Sequence, residues 1–241
     1  MRLDFRYLYV VISLLTLAAC APEPESAPPA ETAPPAEMVP VAEATPPAEA
    51  APSGPMVSGD VITTDNGDLV VQPINHATFA MSWDGQTIYV DPVGGAERFE
   101  GLPSPDLILI TDIHGDHLDA ETLEAVAAAG TIIVAPAAVV EGLPEILLAQ
   151  AQTLDNGANT SVLGLNIEAI PMYNLTEERL MYHDKGRGNG YVLTVGGKRI
   201  YISGDTEDIP EMRALENIDV AFVCFNLPYT MTEPQAASAV V

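Results

Sequence analysis

Most of the chain's potential chemistry lies in one short segment, Asp112-Ile113-His114-Gly115-Asp116-His117, directly after the apolar run Leu107-Ile108-Leu109-Ile110. Two of the four histidines of this 241-residue chain fall there, alternating with two carboxylates. Neutral nitrogen and anionic oxygen donors at that density suit a borderline divalent ion such as zinc, which takes both at roughly 2 Å. Gly115 is expected to relieve the sharp turn such ligands need. Read alone, a solvated polar loop with two incidental histidines is the alternative. Asp205, in Ser203-Gly204-Asp205-Thr206, reads by itself as a turn former and gains meaning only beside the 112–117 segment. His183, in the polar stretch Tyr182-His183-Asp184-Lys185-Gly186, is either a further ligand, a substrate contact or an exposed side chain. His76 reads as a histidine bonded to a carboxylate behind a site rather than as a ligand. Nucleophile chemistry has little support: no serine sits in a Gly-x-Ser-x-Gly turn. Cys224, within Val220-Ala221-Phe222-Val223-Cys224-Phe225, reads as a small buried hydrophobe.

The elements that must position these residues follow from short apolar runs separated by turn residues. Strands are expected at residues 61–64, 69–73, 78–83 and 87–90, with Asp65-Asn66-Gly67-Asp68 and Asp84-Gly85 as turns. Buried strands are expected at 107–111 and 131–135, with a helix over 120–129 closed by Gly130 between them. Further strands are expected at 167–172, 190–195, 199–203 and 220–225, with Gly196-Gly197 turning a hairpin. The run Thr232-Glu233-Pro234-Gln235 then opens a helix. Antiparallel strands followed by alternation of strand and helix predict an α/β chain built as a two-sheet sandwich with helices outside.

The first twenty residues have a different character. Arg2 and Arg6 flank the apolar stretch at 8–19, which ends in Leu17-Ala18-Ala19-Cys20. A basic region, a short apolar region and small residues before a cut site read as a secretory signal over residues 1–19. Small residues followed by Cys resemble a lipoprotein signal-peptidase site, so Cys20 is expected to be lipidated, and Ala21 after it resembles the signal for outer-membrane delivery. An ordinary secretory signal with a chance cysteine is the weaker reading. Residues 20–55 form a stalk rich in Pro, Ala and Glu, with Pro28-Pro29-Ala30-Glu31, Pro34-Pro35-Ala36-Glu37 and Pro46-Pro47-Ala48-Glu49 as a repeat. Proline fixes φ and removes donors, and like charges repel, so the stalk is expected to be extended and disordered. At about 3.1 Å per residue it spans up to on the order of 100 Å. Residues 56–241 are then the globular domain. A formal net charge of -25 excludes a nucleic-acid partner held by clustered Lys and Arg and excludes a charge-driven grip on anionic lipid. The expected partners are a small-molecule substrate and, through Cys20, a membrane, with the domain facing the periplasm.

Several motifs together carry a family resemblance. Asn75-His76-Ala77-Thr78-Phe79, Ile88-Tyr89-Val90-Asp91-Pro92, the 109–119 segment, Ser203-Gly204-Asp205-Thr206 and Asn226-Leu227-Pro228-Tyr229-Thr230-Met231 occur in the order found in metallo-β-lactamase-fold hydrolases. The branch they resemble includes the ascorbate-phosphate lactonases, and the likeness covers about residues 61–241. It implies a four-layer αββα sandwich and a metal-dependent hydrolase acting on an ester, lactone, amide or phosphoester. It also implies that Asp116 and His117 hold one ion, that Asp112 and His114 hold another, that Asp205 bridges them, and that Asp116 orients the attacking water. Asp112 stands where the signature His-x-His-x-Asp-His has its first histidine, and Asn174 falls near where relatives present a further one. Zinc, one ion or two, is expected, and because these departures make one metal position oxygen-rich, manganese, iron or a single zinc are the alternatives. Relatives continue through a strand that brings a last histidine, and the helix opened at Thr232 lacks a C-terminal signal, so the chain is expected to be a fragment incomplete at its C-terminus. A degenerate relative acting as a binding or scaffold lipoprotein is the competing function.

Overall fold

Period-two alternation of apolar side chains along the central strands decides the layering. The computed structural model describes residues 54–240. The signal and most of the stalk, including Cys20, lie outside them. Strands β1 (Asp60–Thr64), β2 (Gly67–Asn75), β3 (Thr78–Trp83) and β4 (Gln86–Val90) form an antiparallel meander. Parallel strands β5 (Leu107–Leu109), β6 (Ile132–Ala135) and β7 (Ala151–Thr153) extend it to seven strands in sequential order. The second sheet contains β8 (Asn159–Val162), β9 (Leu165–Met172), β10 (Gly188–Val195), β11 (Lys198–Ile202) and β12 (Val220–Phe222), all antiparallel except the parallel pair β11 and β12.

Ile88, Val90, Leu107, Leu109 and Val134 of the first sheet meet Ile167, Leu193, Ile200 and Ile202 of the second in one buried layer. The residues between them point the other way, as a strand requires. Tyr89, Ile108, Ile110 and Ile133 pack under helices α1 (Ala120–Val126) and α2 (Ala137–Gly142) through Leu123, Val126 and Val139. Val192 and Tyr201 pack under α3 (Pro210–Arg213) and α4 (Glu233–Ala239) through Met212 and Ala236. The architecture is therefore the expected α/β sandwich, with two sheets face to face and helices on each outer face. α4 opens with the Thr232 and Gln235 side chains each bonded to the other's backbone N–H, the reciprocal cap that this spacing permits.

The differences from expectation are local. α1 stops at Val126 rather than 129, because Ala127 turns extended and the Ala128 N–H is taken by the Thr131 hydroxyl as the chain swings into β6. β12 stops at Phe222 rather than 225, where the Cys224 N–H leaves the ladder for the Ser203 hydroxyl. β7, β8 and α2 were not expected. β8 is a short polar strand at a sheet edge, a form that blunts unwanted pairing and leaves a weak pattern. β7 covers only three residues.

The two sheets come closest at one rim. The Asn189 N–H donates to Thr111 O at 2.9 Å and the Tyr191 hydroxyl donates to Ile110 O at 2.8 Å, tying the start of β10 to the end of β5. Gly188 and Gly204 make this approach possible. A Cβ at Gly188 would lie 2.8 Å from Thr111 O, and one at Gly204, whose φ is +58°, would lie 2.6 Å from Met172 Sδ. The chain ends that follow β4, β5 and β11 all open onto this rim, where the crevice of a sheet with parallel strands commonly receives a ligand.

Candidate metal centre

Each side chain of the rim is placed by a different strand end. Beyond β5 the chain makes a single helical turn, with the N–H groups of His117 and Leu118 both donating to His114 O at 2.9 and 2.8 Å. Gly115 has no left-handed φ, and a Cβ there would meet nothing within 4 Å. The expectation that it relieves a sharp turn is therefore corrected: a helical turn accepts any residue. That turn aims His117 inward, fully buried, and leaves the Asp116 side chain half exposed at 50%.

His117 is held from behind by Asp91 at the end of β4. Its Nδ1 lies 2.8 Å from Asp91 Oδ2, while Asp91 Oδ1 and Oδ2 accept from the Thr111 N–H at 2.7 Å and the Thr111 hydroxyl at 2.6 Å. Such a carboxylate fixes ring orientation and makes the far nitrogen more basic. The Nε2 of His117 then faces Asp205 Oδ2 at 3.4 Å and Asp116 Oδ2 at 3.9 Å. From the opposite side, His183 Nε2 approaches the same Asp205 oxygen at 3.4 Å. Both imidazole nitrogens are buried and have no aligned hydrogen bond. Buried polar atoms are almost always bonded, so two that converge on one carboxylate oxygen without a bond mark a place where a cation fits.

The oxygen and nitrogen donors of Asp116, His117 and Asp205 all lie within 4.8 Å of one another. Edges of about 3.4 Å are what a tetrahedron with bonds of roughly 2.1 Å requires. A second group, Asp112, His114 and His183, meets the same distance limit. There, however, the Arg187 guanidinium already grips Asp112, with Nε to Oδ1 at 3.1 Å and Nη2 to Oδ2 at 3.0 Å. His114 Nδ1 lies 2.8 Å from the same Oδ2.

The remaining expected residues occupy supporting places. His76, in the tight turn between β2 and β3 with φ +48°, sets its Nε2 3.3 Å from Asp116 Oδ2, so it touches a carboxylate as anticipated. Asn174 follows β9, and its amide nitrogen donates to Tyr229 O at 2.7 Å and Arg179 O at 2.9 Å while lying 3.2 Å from His183 Nδ1. Its nitrogen thus backs the ring of His183, while its Oδ1 is buried without a hydrogen-bond partner. Cys224 bonds Thr206 through its sulfur, and burial followed by the charge of Asp205 pushes its thiol up to about 11. That is the opposite of an activated nucleophile.

Three residues were missed by sequence reasoning. Asp91 had a signal, a carboxylate directly after the run Ile88-Tyr89-Val90. Arg187 had another, since the chain has only nine Lys and Arg against 34 acids and one of them falls between two glycines. Glu207 had none. It is buried and accepts from the Leu175 and Thr176 N–H groups at 2.6 Å each and from Arg179 Nη1 at 2.6 Å, locking the loop that carries His183 onto the loop that carries Asp205.

Electrostatics follow from this geometry. Burial opposes a charge on either Asp205 or His117. Even so, the two imidazoles hold the Asp205 carboxyl well below the ordinary range, and Asp91 with Asp205 holds the His117 imidazolium well above its own. Burial raises the Asp91 carboxyl against the pull of His117 and Thr111. His114 is lowered by burial, with Arg187 and His183 adding to the effect against Asp112.

Comparison with known proteins identifies the family. Residues 71–241 match the family model described as the β-lactamase superfamily domain. The chain is 30% identical over 183 residues to a UPF0173 metal-dependent hydrolase of Methanopyrus kandleri, covering 69% of this chain and 76% of the relative. A crystal structure described as a metal-dependent hydrolase of Parabacteroides distasonis is 42% identical with a TM-score of 0.70, over 76% of this chain and 82% of that one. CmlA, a diiron β-hydroxylase of Streptomyces venezuelae, is 25% identical with a TM-score of 0.51, over 69% of this chain and 34% of that one. The chain belongs to the β-lactamase superfamily and is a metal-dependent hydrolase of that family.

The raised His117 value has a measurable consequence. Asp91 and Asp205 both favour a proton on His117, and a cation at Nε2 competes with a proton for that nitrogen. Calorimetric titration of zinc at several pH values is expected to show affinity that weakens as pH falls. Zinc affinity that stays unchanged as pH falls would contradict the assignment of Nε2 as donor.

Proposed function

We propose that the chain hydrolyses an ester, lactone, amide or phosphoester with a divalent ion held by Asp116, His117 and Asp205. The observation that carries this reading is the convergence of His117 Nε2 and His183 Nε2, both buried and unbonded, on Asp205 Oδ2. Three protein donors leave an open position, the pattern of catalytic rather than structural ion sites. Zinc suits one imidazole with two carboxylates. Manganese and iron are the alternatives, and the two irons of the β-hydroxylase relative support iron among them. The ion supplies Lewis acidity toward the substrate oxygen and makes a neighbouring water acidic near neutral pH.

The residues of the chain do the rest. Asp116 is half exposed at the mouth and accepts the proton of the attacking water, and His76 at 3.3 Å keeps that carboxylate oriented. The water oxygen bonds to the carbonyl or phosphoryl centre, the bond to the leaving oxygen or nitrogen breaks, and the proton passes from Asp116 to the leaving group. Asp91 holds the His117 ring in the plane that points Nε2 at Asp205. The test is turnover of a panel of nitrophenyl esters, lactones and phosphodiesters. Activity is expected to vanish on dialysis against chelator, return with zinc, and fall on the order of 100-fold or more in His117→Ala, since loss of a supporting partner alone costs 10- to 100-fold. Turnover that survives both treatments would overturn the reading.

The same proposal places the domain at the cell envelope, held by a lipidated Cys20. Its support is the Leu17-Ala18-Ala19-Cys20 junction after a short apolar stretch, and the acidic stalk that follows. One acyl-bearing residue at the outer membrane, facing the periplasm, lets the domain meet small substrates there. Wild-type protein is expected to partition with membranes and into detergent phase, and Cys20→Ser to move to the soluble fraction. A wild type that is soluble throughout would contradict the anchor.

A further inference from the structure

The two donor groups on either side of Asp205 are not equivalent. Around Asp116, His117 and Asp205, His117 Nε2 faces the other donors with no aligned hydrogen bond. Around Asp112 and His114, the lone pairs are already committed. Asp112 is fully buried, and Arg187 contacts both of its oxygens as a fork. Oδ2 also lies against His114 Nδ1, and the other nitrogen of that ring, Nε2, faces Arg187 Nη2 at 3.4 Å. Nη2 further donates to Tyr182 O.

The guanidinium is held there by the fold. Arg187 immediately precedes β10, and the next residue, Gly188, is the one whose backbone is pressed against Thr111, the neighbour of Asp112. Its N–H donates to Asp184 O, closing the turn that directs the side chain back over the β5 end. Arginine cannot lose its proton in a protein, and its planar fork matches a carboxylate at two points. A divalent ion between Asp112 and His114 would therefore lie against a permanent cation and compete with it for the same oxygens.

We propose that this site holds a single divalent ion and that the Arg187 guanidinium serves as a built-in cation in the place of a second. Resting on the hydrolase reading above, this assigns Asp112 and His114 to Arg187 rather than to an ion. The charge balance is satisfied on both sides: the ion matches Asp116 and Asp205, and the guanidinium matches Asp112. His183 stands between the halves, 3.4 Å from Asp205 and 3.9 Å from Asp112. Arg187 is a positioning residue here. It neutralises Asp112 and, with it, fixes the ring of His114 beside the ion.

Zinc content of the purified full chain, measured by elemental analysis after saturation and desalting, tests this directly. Wild type is expected to retain one equivalent. Arg187→Gln uncovers Asp112, His114 and His183 together and is expected to retain two, with folding checked by circular dichroism. Arg187→Lys, which keeps the charge without the fork, and Asp112→Asn, which removes the contested carboxylate, are each expected to retain one. Two equivalents in wild type, one in a folded Arg187→Gln, or loss of the single equivalent in Asp112→Asn would each overturn the proposal. Of these, two equivalents in wild type leaves the hydrolase reading standing, whereas no retained ion in any variant sinks both.

Discussion

A carboxylate withdrawn from water must find positive charge, and the rim of this sandwich is organised around how Asp205 finds it. An uncompensated charge in such a place costs several kcal/mol. Asp205 is 7% exposed, and two buried imidazoles face the same one of its oxygens. Asp91 behind His117 and Asp205 before it both favour a proton on that imidazole. A cation among these groups would supply the positive charge directly and would compete with that proton for Nε2.

The fold makes that arrangement by bringing distant strand ends together. Asp91 ends β4, the turn holding Asp116 and His117 follows β5, Asp205 follows β11, and His183 belongs to the loop between β9 and β10. None of these is near another in sequence except within the 112–117 turn. The hydrogen bonds from Asn189 and Tyr191 across to Thr111 and Ile110 set the spacing of the two sheets at this point. Glu207 and Arg179 set the height of the His183 loop. Substitution of any of these supports would move a donor without touching it.

Much of this was legible in the sequence, for identifiable reasons. The 78–83 strand falls on the observed bounds because a short apolar run is closed by Asp84-Gly85, two left-handed residues, the conformation tight hairpins favour. The 112–117 segment stood out because four donors cluster after an apolar strand. Asp205 was legible only through resemblance, since Gly-Asp after a strand ordinarily marks a turn. Arg187 stood out only as a rare basic residue between two glycines; its role depends on Gly188 pressing against Thr111, a contact between residues 77 positions apart. β8 was hidden because Asn159-Thr160-Ser161 is polar at a sheet edge, and α1 was overextended because nothing local shows that Thr131 captures the Ala128 N–H.

The departures from the family signature also acquire a physical sense. Asp112 in place of a histidine puts a negative charge where a guanidinium can grip it at two points, and the amide nitrogen of Asn174 is bonded to two carbonyls beside His183. The most direct measurement of the whole account is anomalous X-ray scattering from crystals of the zinc-saturated protein. The account predicts a peak about 2.0–2.2 Å from His117 Nε2 and from one oxygen each of Asp116 and Asp205, with the guanidinium still on Asp112. A peak centred between Asp112 and His114, with Arg187 swung away, would contradict it.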